Sequence, residues 1–143
     1  KMALENMDRL RRAMPDVQFT TDMIAGFPGE TEQLFCETYN FLRDIIKPAF
    51  IHIFPYSPRK GTPAAMRKDQ VQDCMKTKRV QMLEALSTEL HEDFIRSNAG
   101  VREKVLFEST DRNGMMEGYT GNYIRISRPY DPLLIGKITD VTV

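Results

Sequence analysis

The sequence predicts an α/β fold, in which a parallel sheet with helical crossovers is followed by a small antiparallel β module. Two observations carry this prediction. As far as residue 98, apolar residues recur alternately at helical and at strand spacing, which is typical of parallel α/β architecture. After SNAG, at 97–100, short alternating runs separated by turn residues take over, which is typical of antiparallel strands. We therefore expect two domains, 1–98 and 99–143.

The first domain is predicted to begin with two helix–strand pairs. Helical spacing over 3–14 ends at Pro15, and the alternating run 17–25 predicts a buried strand. Helical spacing returns over 30–46, and a second strand ends at Pro55. The short connections favour parallel strands joined by right-handed crossovers.

A long helix over 69–98 closes this domain, after a polar loop that is long enough to carry function. Its predicted apolar stripe is Val71, Met75, Leu83, Leu86, Leu90 and Phe94. The second domain then contains three alternating runs, and the Asn113–Gly114 pair between the first two is a strong hairpin signal. These runs are 101–109, 115–129 and 134–143.

Composition argues against a membrane protein and against a disulfide framework. The chain has 20 basic and 20 acidic residues, no apolar run of transmembrane length and no signal-peptide pattern, so we expect a cytoplasmic protein with no membrane partner. Cys36 and Cys74 are too far apart for a metal-ligand motif, and we expect both to be small core or half-buried residues. The helical pattern already present at the first residue suggests a fragment.

Basic residues outnumber acidic ones between Ser57 and Val80 by seven to two. Such an excess can attract a polyanion, although a solvated loop and helix face explains it more simply. The seven are Arg59, Lys60, Arg67, Lys68, Lys76, Lys78 and Arg79.

The turn after the first strand has the form of a ligand site, because ligands collect at the carboxyl ends of parallel strands. Gly26 would let a ligand approach the backbone closely. Glu30 and Glu32 are expected in the first turn of the following helix, where they would repel a phosphate. A neutral or cationic nucleoside fits better, and a purely architectural turn is the alternative.

The second strand ends with aromatic side chains on one face, at Phe50, His52, Phe54 and Tyr56. Such a face can hold a flat base by stacking and by hydrogen bonds to the exposed backbone. A histidine in this pattern, such as His52, is more often a satisfied core residue than a proton shuttle.

Five stretches, taken in order, resemble the radical S-adenosylmethionine methylthiotransferases: TTDMIAGFPGET, HIFPYSPRKGTPA, KRVQMLEALSTEL, EGYTGNYIRI and LIGKITDV. The GYTGNYIRI form is most similar to the branch that adds a methylthio group at C2 of N6-threonylcarbamoyladenosine-37 in tRNA. Sister branches act on isopentenyladenosine in tRNA or on an aspartate of a ribosomal protein.

The resemblance implies the C-terminal part of a TIM-like radical barrel followed by a TRAM-like, OB-like β-barrel that binds RNA. It also implies two [4Fe-4S] clusters in the full-length enzyme, one of them on a CxxxCxxC loop. This sequence has no CxxxCxxC. The cluster ligands are therefore expected upstream, no catalytic residue is assigned here, and the fragment alone is expected to be inactive.

The resemblance also implies which residues bind ligands, although Glu30 has bracing the turn as an alternative role. The adenosyl part of S-adenosylmethionine is expected at Ile24, Gly26, Glu30, Phe54, Pro55 and Tyr56. Its positive sulfonium tolerates nearby carboxylates. The substrate nucleotide and the tRNA anticodon stem-loop are expected at Asp22, Arg59, Thr62, Tyr119, Asn122, Tyr123 and Arg125.

Other hypotheses remain open at this point. In one, the enzyme acts on isopentenyladenosine in tRNA or on a ribosomal protein aspartate. In another, the chain is a non-catalytic RNA-binding module whose tyrosines stack on bases. The least specific hypothesis is a truncated chain whose exposed barrel edges pair in a non-native homodimer.

Overall fold

The computed structural model describes residues 2–108 and 113–143. In chain order its elements are α1 (Met2–Ala13), β1 (Thr20–Ala25), α2 (Glu32–Phe41), β2 (Phe50–Pro55), α3 (Pro63–Met66), α4 (Asp73–Ser97), β3 (Arg102–Phe107), β4 (Met115–Thr120), β5 (Arg125–Pro129) and β6 (Ile138–Thr142). The chain divides into two compact units, Phe19–Asp93 and Lys1–Gln18 together with Phe94–Val143. The domain limits predicted from the sequence stay predictions.

The unit Phe19–Asp93 is built on a two-stranded parallel sheet, which confirms the predicted α/β class. β1 and β2 pair over their full length, with Thr20 opposite Phe50 and Ala25 opposite Pro55. Both strands therefore end at the same edge. The buried core of this unit consists of Ala25, Phe35, Leu42, Ile51, Leu83, Leu86 and Leu90.

Helix α2 begins later than the predicted segment 30–46 because Thr31 caps it. The Thr31 hydroxyl accepts a hydrogen bond from the Leu34 N–H at 3.2 Å, which satisfies one of the free donors of the first turn. Glu32 is thus the first helical residue. The expectation that Glu30 lies in the first helical turn was wrong, since Glu30 precedes the cap.

Two short helical segments were not predicted separately. A π-helical turn, Leu42–Ile46, continues α2 to the end of its predicted range. The predicted polar loop contains α3, which begins at Pro63 because the preceding Thr62 hydroxyl accepts the Ala65 N–H at 3.3 Å.

A long helix is present as predicted, although α4 begins at Asp73 rather than at residue 69. Ser87, on the buried side of this helix, accepts a hydrogen bond from the Ile51 N–H of β2 at 3.0 Å. The hydroxyl therefore satisfies a backbone donor that the two-stranded sheet leaves free. The buried leucines of the predicted stripe are Leu83, Leu86 and Leu90.

The other unit contains a four-stranded antiparallel sheet in the order β5-β4-β3-β6. Its core holds Val105, Phe107 and Met116, against which Ile126 and Val141 pack. The predicted antiparallel character is confirmed, but the three predicted runs give four strands because the second run folds back on itself. The strands described in 2–108 and 113–143 do not form a closed barrel.

The predicted hairpin turn lies between β3 and β4. Asn113 and Gly114 both have positive φ, at 59° and 72°, as the Asn-Gly signal requires. Residues 109–112 of this connection, including the start of the DRNG stretch, lie outside the described residues.

The predicted burial of the cysteines was wrong. Cys36 and Cys74 are both free and exposed. Cys36 follows the fully buried Phe35, so its side chain points away from the core, which the apolar pattern of α2 does not reveal. Among the helices described, none has the length and apolar character to cross a membrane.

We predict that Ser87→Ala lowers the free energy of unfolding by about 1–3 kcal/mol, because the buried Ile51 N–H loses its acceptor. Thr88→Ala is the matched control, since that exposed hydroxyl donates only to the Glu84 carbonyl of its own helix. Urea denaturation of the two variants measures the difference, and equal losses would contradict the role of Ser87.

Candidate functional site

A cavity of about 500 Å³ lies at the carboxyl ends of β1 and β2. This is the edge at which the sequence predicts a ligand site. Four of the six predicted cofactor-binding residues line it, together with predicted Arg59 and Thr62. The full lining is Ile24, Phe27, Phe54, Pro55, Tyr56, Ser57, Arg59, Thr62 and Ala64.

The walls of this cavity are apolar and aromatic. Ile24 and Phe54 lie opposite each other in the sheet register, and their exposed fractions are 51% and 52%. The Phe27 and Tyr56 rings meet edge to face with centroids 5.2 Å apart. Large apolar side chains left open at two neighbouring strand ends suit a flat, partly apolar ligand.

Tyr56 lines this cavity and carries a hydroxyl that has no partner among the described residues. Its backbone N–H donates to the Ala25 carbonyl at 2.8 Å, which holds the residue beside the end of β1. Its hydroxyl oxygen is buried and has no hydrogen-bond partner within the described ranges. Because buried polar atoms are almost always paired, this hydroxyl is an exception, and it is closed to water.

Arg59 and Thr62 lie in the loop that closes one side of the cavity. The Thr62 hydroxyl donates to the Arg59 carbonyl at 2.8 Å and also caps α3. The structure therefore gives Thr62 a clear local role in shaping the loop. The Arg59 side chain is exposed.

Gly26 and Glu30, the other two predicted cofactor residues, do not line the cavity. A Cβ on Gly26 would overlap the Cγ of Lys76, and its φ of 77° also favours glycine. The close approach that requires glycine is thus made by a side chain of α4. The Glu30 carboxylate accepts a hydrogen bond from the Gly26 N–H at 2.7 Å, so it braces the turn.

Arg79 of α4 completes this turn. Its Nη1 lies 2.7 Å from Glu30 Oε2 and 3.1 Å from the Glu30 carbonyl oxygen. Its Nη2 lies 3.3 Å from Glu32 Oε2. The Arg79 and Glu30 side chains are only 4% and 12% exposed, so this ion pair is shielded from water.

A second ion pair covers the other glycine of the turn. Arg67 Nε donates to Asp69 Oδ1 at 2.9 Å, and this hydrogen bond lowers the pKa of Asp69. A Cβ on Gly29 would lie 2.6 Å from Arg67 Nη2. The Asp69 carbonyl also accepts the Gly29 N–H at 3.0 Å, so the segment before α4 is joined to the turn.

The sequence analysis did not identify the structural roles of Lys76 and Arg79. It placed both among the basic residues of a solvated loop and helix face. Both are buried, and three of the seven basic residues, these two and Arg67, make ion pairs. A signal was present in the spacing. Residues 76 and 79 continue the steps of three and four of the α4 stripe, so two cations stand on its buried face.

Asp22 and His52 lie opposite each other, on the same sheet face as Ile24 and Phe54. Asp22 is exposed on that face but does not line the cavity. The expectation of a core histidine was wrong: His52 is exposed, and its ring meets Phe50 edge to face at 4.9 Å.

In the antiparallel unit, two tyrosines form an exposed aromatic surface. The rings of Tyr119 and Tyr123 lie 6.2 Å apart, and their exposed fractions are 44% and 72%. Tyr123 lies in the turn between β4 and β5, where its N–H donates to the Thr120 carbonyl at 3.1 Å, and its φ is 64°. Arg125 lies opposite Tyr119 and is also exposed, with Nη1 3.6 Å from Glu117 Oε2.

Asn122 is grouped with these residues in the sequence but has an internal role in the structure. Its Nδ2 donates to the Asp16 carbonyl at 3.1 Å and to Asn98 Oδ1 at 3.0 Å. Its Oδ1 accepts from the Thr120 hydroxyl at 2.6 Å. The amide is therefore occupied by three hydrogen bonds, and it holds the base of the turn that carries Tyr123.

Within residues 2–108 and 113–143, no group of three or more His, Cys, Asp or Glu residues could hold a metal ion. The described residues therefore do not fit an iron–sulfur cluster. They do fit an adenosyl group, because the cavity has apolar and aromatic walls at two neighbouring strand ends.

The chain is similar over most of its length to tRNA-modifying enzymes. It is 38% identical over 143 residues to the threonylcarbamoyladenosine tRNA methylthiotransferase of Bacillus subtilis. The aligned region covers 97% of this chain and 32% of that relative. It is 37% identical over 137 residues to a tRNA-2-methylthio-N(6)-dimethylallyladenosine synthase of Yersinia enterocolitica, covering 94% and 29%. A synthase of the same name from Wolbachia pipientis is 42% identical over 111 residues, covering 78% and 25%.

These relatives confirm the resemblance drawn from the motifs. The chain spans about a third or less of the length of each of these relatives. No protein-family model matches it.

We predict that Gly26→Ala destabilises the chain more than Gly61→Ala does. Both glycines have a φ near 80°, but only Gly26 faces a neighbour, since nothing lies within 4 Å of a Cβ at Gly61. Backbone strain costs about 1 kcal/mol in both variants, and the overlap with Lys76 adds at least about 1 kcal/mol in the first. Thermal and urea unfolding measure the stability of the two variants. Equal losses of stability would show that the Lys76 side chain moves aside without cost and would contradict the prediction.

Proposed function

We infer that, because this chain is a homologue of the tRNA methylthiotransferases, it is the C-terminal part of a radical S-adenosylmethionine enzyme that adds a methylthio group to a tRNA adenosine. The cavity at the ends of β1 and β2 is the single observation that carries the proposal. Its walls are the residues of the two most specific motifs, and its shape and chemistry suit an adenosyl group. We assign its two strands to part of a TIM-like barrel and the antiparallel unit to a TRAM-like module.

The adenosyl group is assigned to the apolar walls of the cavity. Ile24 and Phe54 would lie against the faces or edges of the adenine ring, and the Tyr56 ring would form part of the same wall. Pro55 contributes to the wall, while Gly26 and Glu30 fix the turn beside it. When bound, S-adenosylmethionine supplies the methyl group and the radical chemistry of the reaction.

Iron–sulfur chemistry is not assigned to the residues of this chain. The two exposed cysteines and the absence of a metal-binding group among the described residues do not fit a [4Fe-4S] cluster. Consequently we derive no step through a cluster, and we place its ligands in another part of the full-length enzyme.

The substrate nucleotide is assigned to the groups around the same strand ends. Arg59 is an exposed cation on the cavity wall, where a phosphate can meet it. Thr62 shapes the loop beside it. Asp22 faces the same side of the sheet as Ile24, from where it can accept a hydrogen bond from a base or a sugar.

Contacts to the tRNA anticodon stem-loop are assigned to the exposed aromatic surface of Tyr119 and Tyr123, with Arg125 beside it. Aromatic rings stack on unpaired bases, and guanidinium groups bind phosphates or base edges. Asn122 contributes by fixing the turn rather than by touching RNA. We also propose a cytoplasmic location, in keeping with the proposed tRNA substrate.

For the substrate we propose N6-threonylcarbamoyladenosine-37, in agreement with the name of the Bacillus subtilis relative. The second candidate is isopentenyladenosine, because relatives with the dimethylallyladenosine name have nearly the same identity to this chain. The test is deletion of the gene that encodes the full-length protein, followed by mass spectrometry of tRNA nucleosides. Loss of the methylthio form of threonylcarbamoyladenosine alone is expected, and loss of the isopentenyl form would select the second candidate.

An unchanged content of both methylthio nucleosides would contradict the proposed function. Restoration of the lost nucleoside by a plasmid copy of the gene is the control. A modified ribosomal protein aspartate that disappears in the same deletion would instead favour the protein substrate.

We predict that Tyr123→Ala weakens binding of the full-length protein to a tRNA anticodon stem-loop about tenfold, because a stacked base is worth about 1–3 kcal/mol. Tyr123→Phe should bind normally because it keeps the ring. Tyr130→Ala is the negative control, since it removes an exposed tyrosine elsewhere in the same unit. Fluorescence anisotropy at fixed salt measures the affinities, and a normal affinity for Tyr123→Ala would exclude the tyrosine surface.

A further inference from the structure

We propose that Arg79 is a positioning residue for the cavity, and that it acts through Glu30 on the backbone where β1 ends. The identity of the ligand rests on the proposed function, whereas the action on the backbone does not. Arg79 itself does not line the cavity. Its effect must therefore pass through the turn between β1 and α2.

The turn is held through one carboxylate oxygen. Glu30 Oε2 accepts hydrogen bonds from both the Gly26 N–H and Arg79 Nη1, each at 2.7 Å. Arg79 comes from α4, 49 residues further along the chain. The ion pair therefore joins the long helix to the backbone of the strand end, and it fixes which oxygen faces Gly26.

Arginine is suited to this position because two of its nitrogens reach three acceptors. Nη1 contacts the carboxylate and the carbonyl of Glu30, and Nη2 contacts Glu32. The planar guanidinium also lies over the Phe35 ring, 5.2 Å from its centroid. A lysine would keep the charge, but its single nitrogen could not hold this fixed fork of contacts.

The braced amide is adjacent to the cavity wall on both sides. Ala25, which precedes Gly26, accepts the Tyr56 N–H through its carbonyl at 2.8 Å. Phe27, which follows Gly26, meets the Tyr56 ring edge to face. A change in the Gly26 peptide would therefore shift Phe27 and Tyr56, two walls of the cavity, relative to each other.

The burial of Arg79 argues for a positioning role as well as a stabilising one. Its Nε–H is buried and has no acceptor among the described residues, which adds a desolvation cost. Buried ion pairs contribute little net stability compared with apolar residues of similar size, but loss of one partner is strongly destabilising. Removing both partners should therefore separate stability from ligand binding.

The experiment uses the full-length protein, with S-adenosylhomocysteine as the probe. The variants are Arg79→Met, Arg79→Lys and the double variant Glu30→Gln with Arg79→Met. Leu90→Ala is the matched control, because it weakens the core of the same helix without touching the turn. Equilibrium dialysis gives the affinity, thermal unfolding gives the stability, and hydrogen exchange of the peptide containing Gly26 reports on the braced amide.

We expect Arg79→Met to weaken S-adenosylhomocysteine binding about tenfold and to speed exchange of the Gly26 amide. Arg79→Lys should show the same changes to a smaller extent, which keeps the test usable if the methionine variant does not fold. The double variant should be more thermally stable than Arg79→Met, but its affinity for S-adenosylhomocysteine should stay low. Leu90→Ala should lose stability and keep its affinity.

Normal affinity and normal Gly26 exchange in the Arg79 variants would overturn the proposal. So would a loss of affinity in Leu90→Ala as large as that in Arg79→Met, because the effect would then follow stability alone. If the unaltered protein binds no S-adenosylhomocysteine, the proposed function fails. Exchange of the Gly26 amide still decides whether Arg79 holds the turn.

Discussion

The end of β1 is held by one carboxylate that is largely shielded from water, that of Glu30. Glu30 must satisfy a backbone N–H and a guanidinium at the same time, and both lie 2.7 Å from one of its oxygens. Gly26 is required because the stem of Lys76 occupies the place of a Cβ. Through these contacts α4 sets the backbone at the strand end, and the cavity takes its form from that backbone.

Most of the fold could be predicted from periodicity, because the core positions of α4, β1 and β2 are apolar and regularly spaced. Periodicity failed where burial depends on a distant partner. Arg79 is buried because Glu30 and Glu32 neutralise it, and no local pattern reveals a partner 49 residues away. Cys36 and His52 were misjudged for the opposite reason, since an apolar or alternating pattern does not say which face is covered.

The candidate site was predictable in part. The strand ends were correctly expected to meet, since parallel pairing brings Ile24 and Phe54 together. The separate roles within each motif could not be read from the sequence. Asn122 stands between exposed aromatic residues in the sequence, yet its amide is used entirely inside the unit. In both motifs, polar residues fix the backbone while apolar or aromatic neighbours form the exposed surface.

A crystal structure of the full-length protein with S-adenosylhomocysteine would show directly whether the adenosyl group binds at the ends of β1 and β2. We expect the adenine ring to lie between the two strand ends, within about 4 Å of the Ile24 and Phe54 side chains. An adenosyl group bound elsewhere, with these side chains packed against protein, would contradict it.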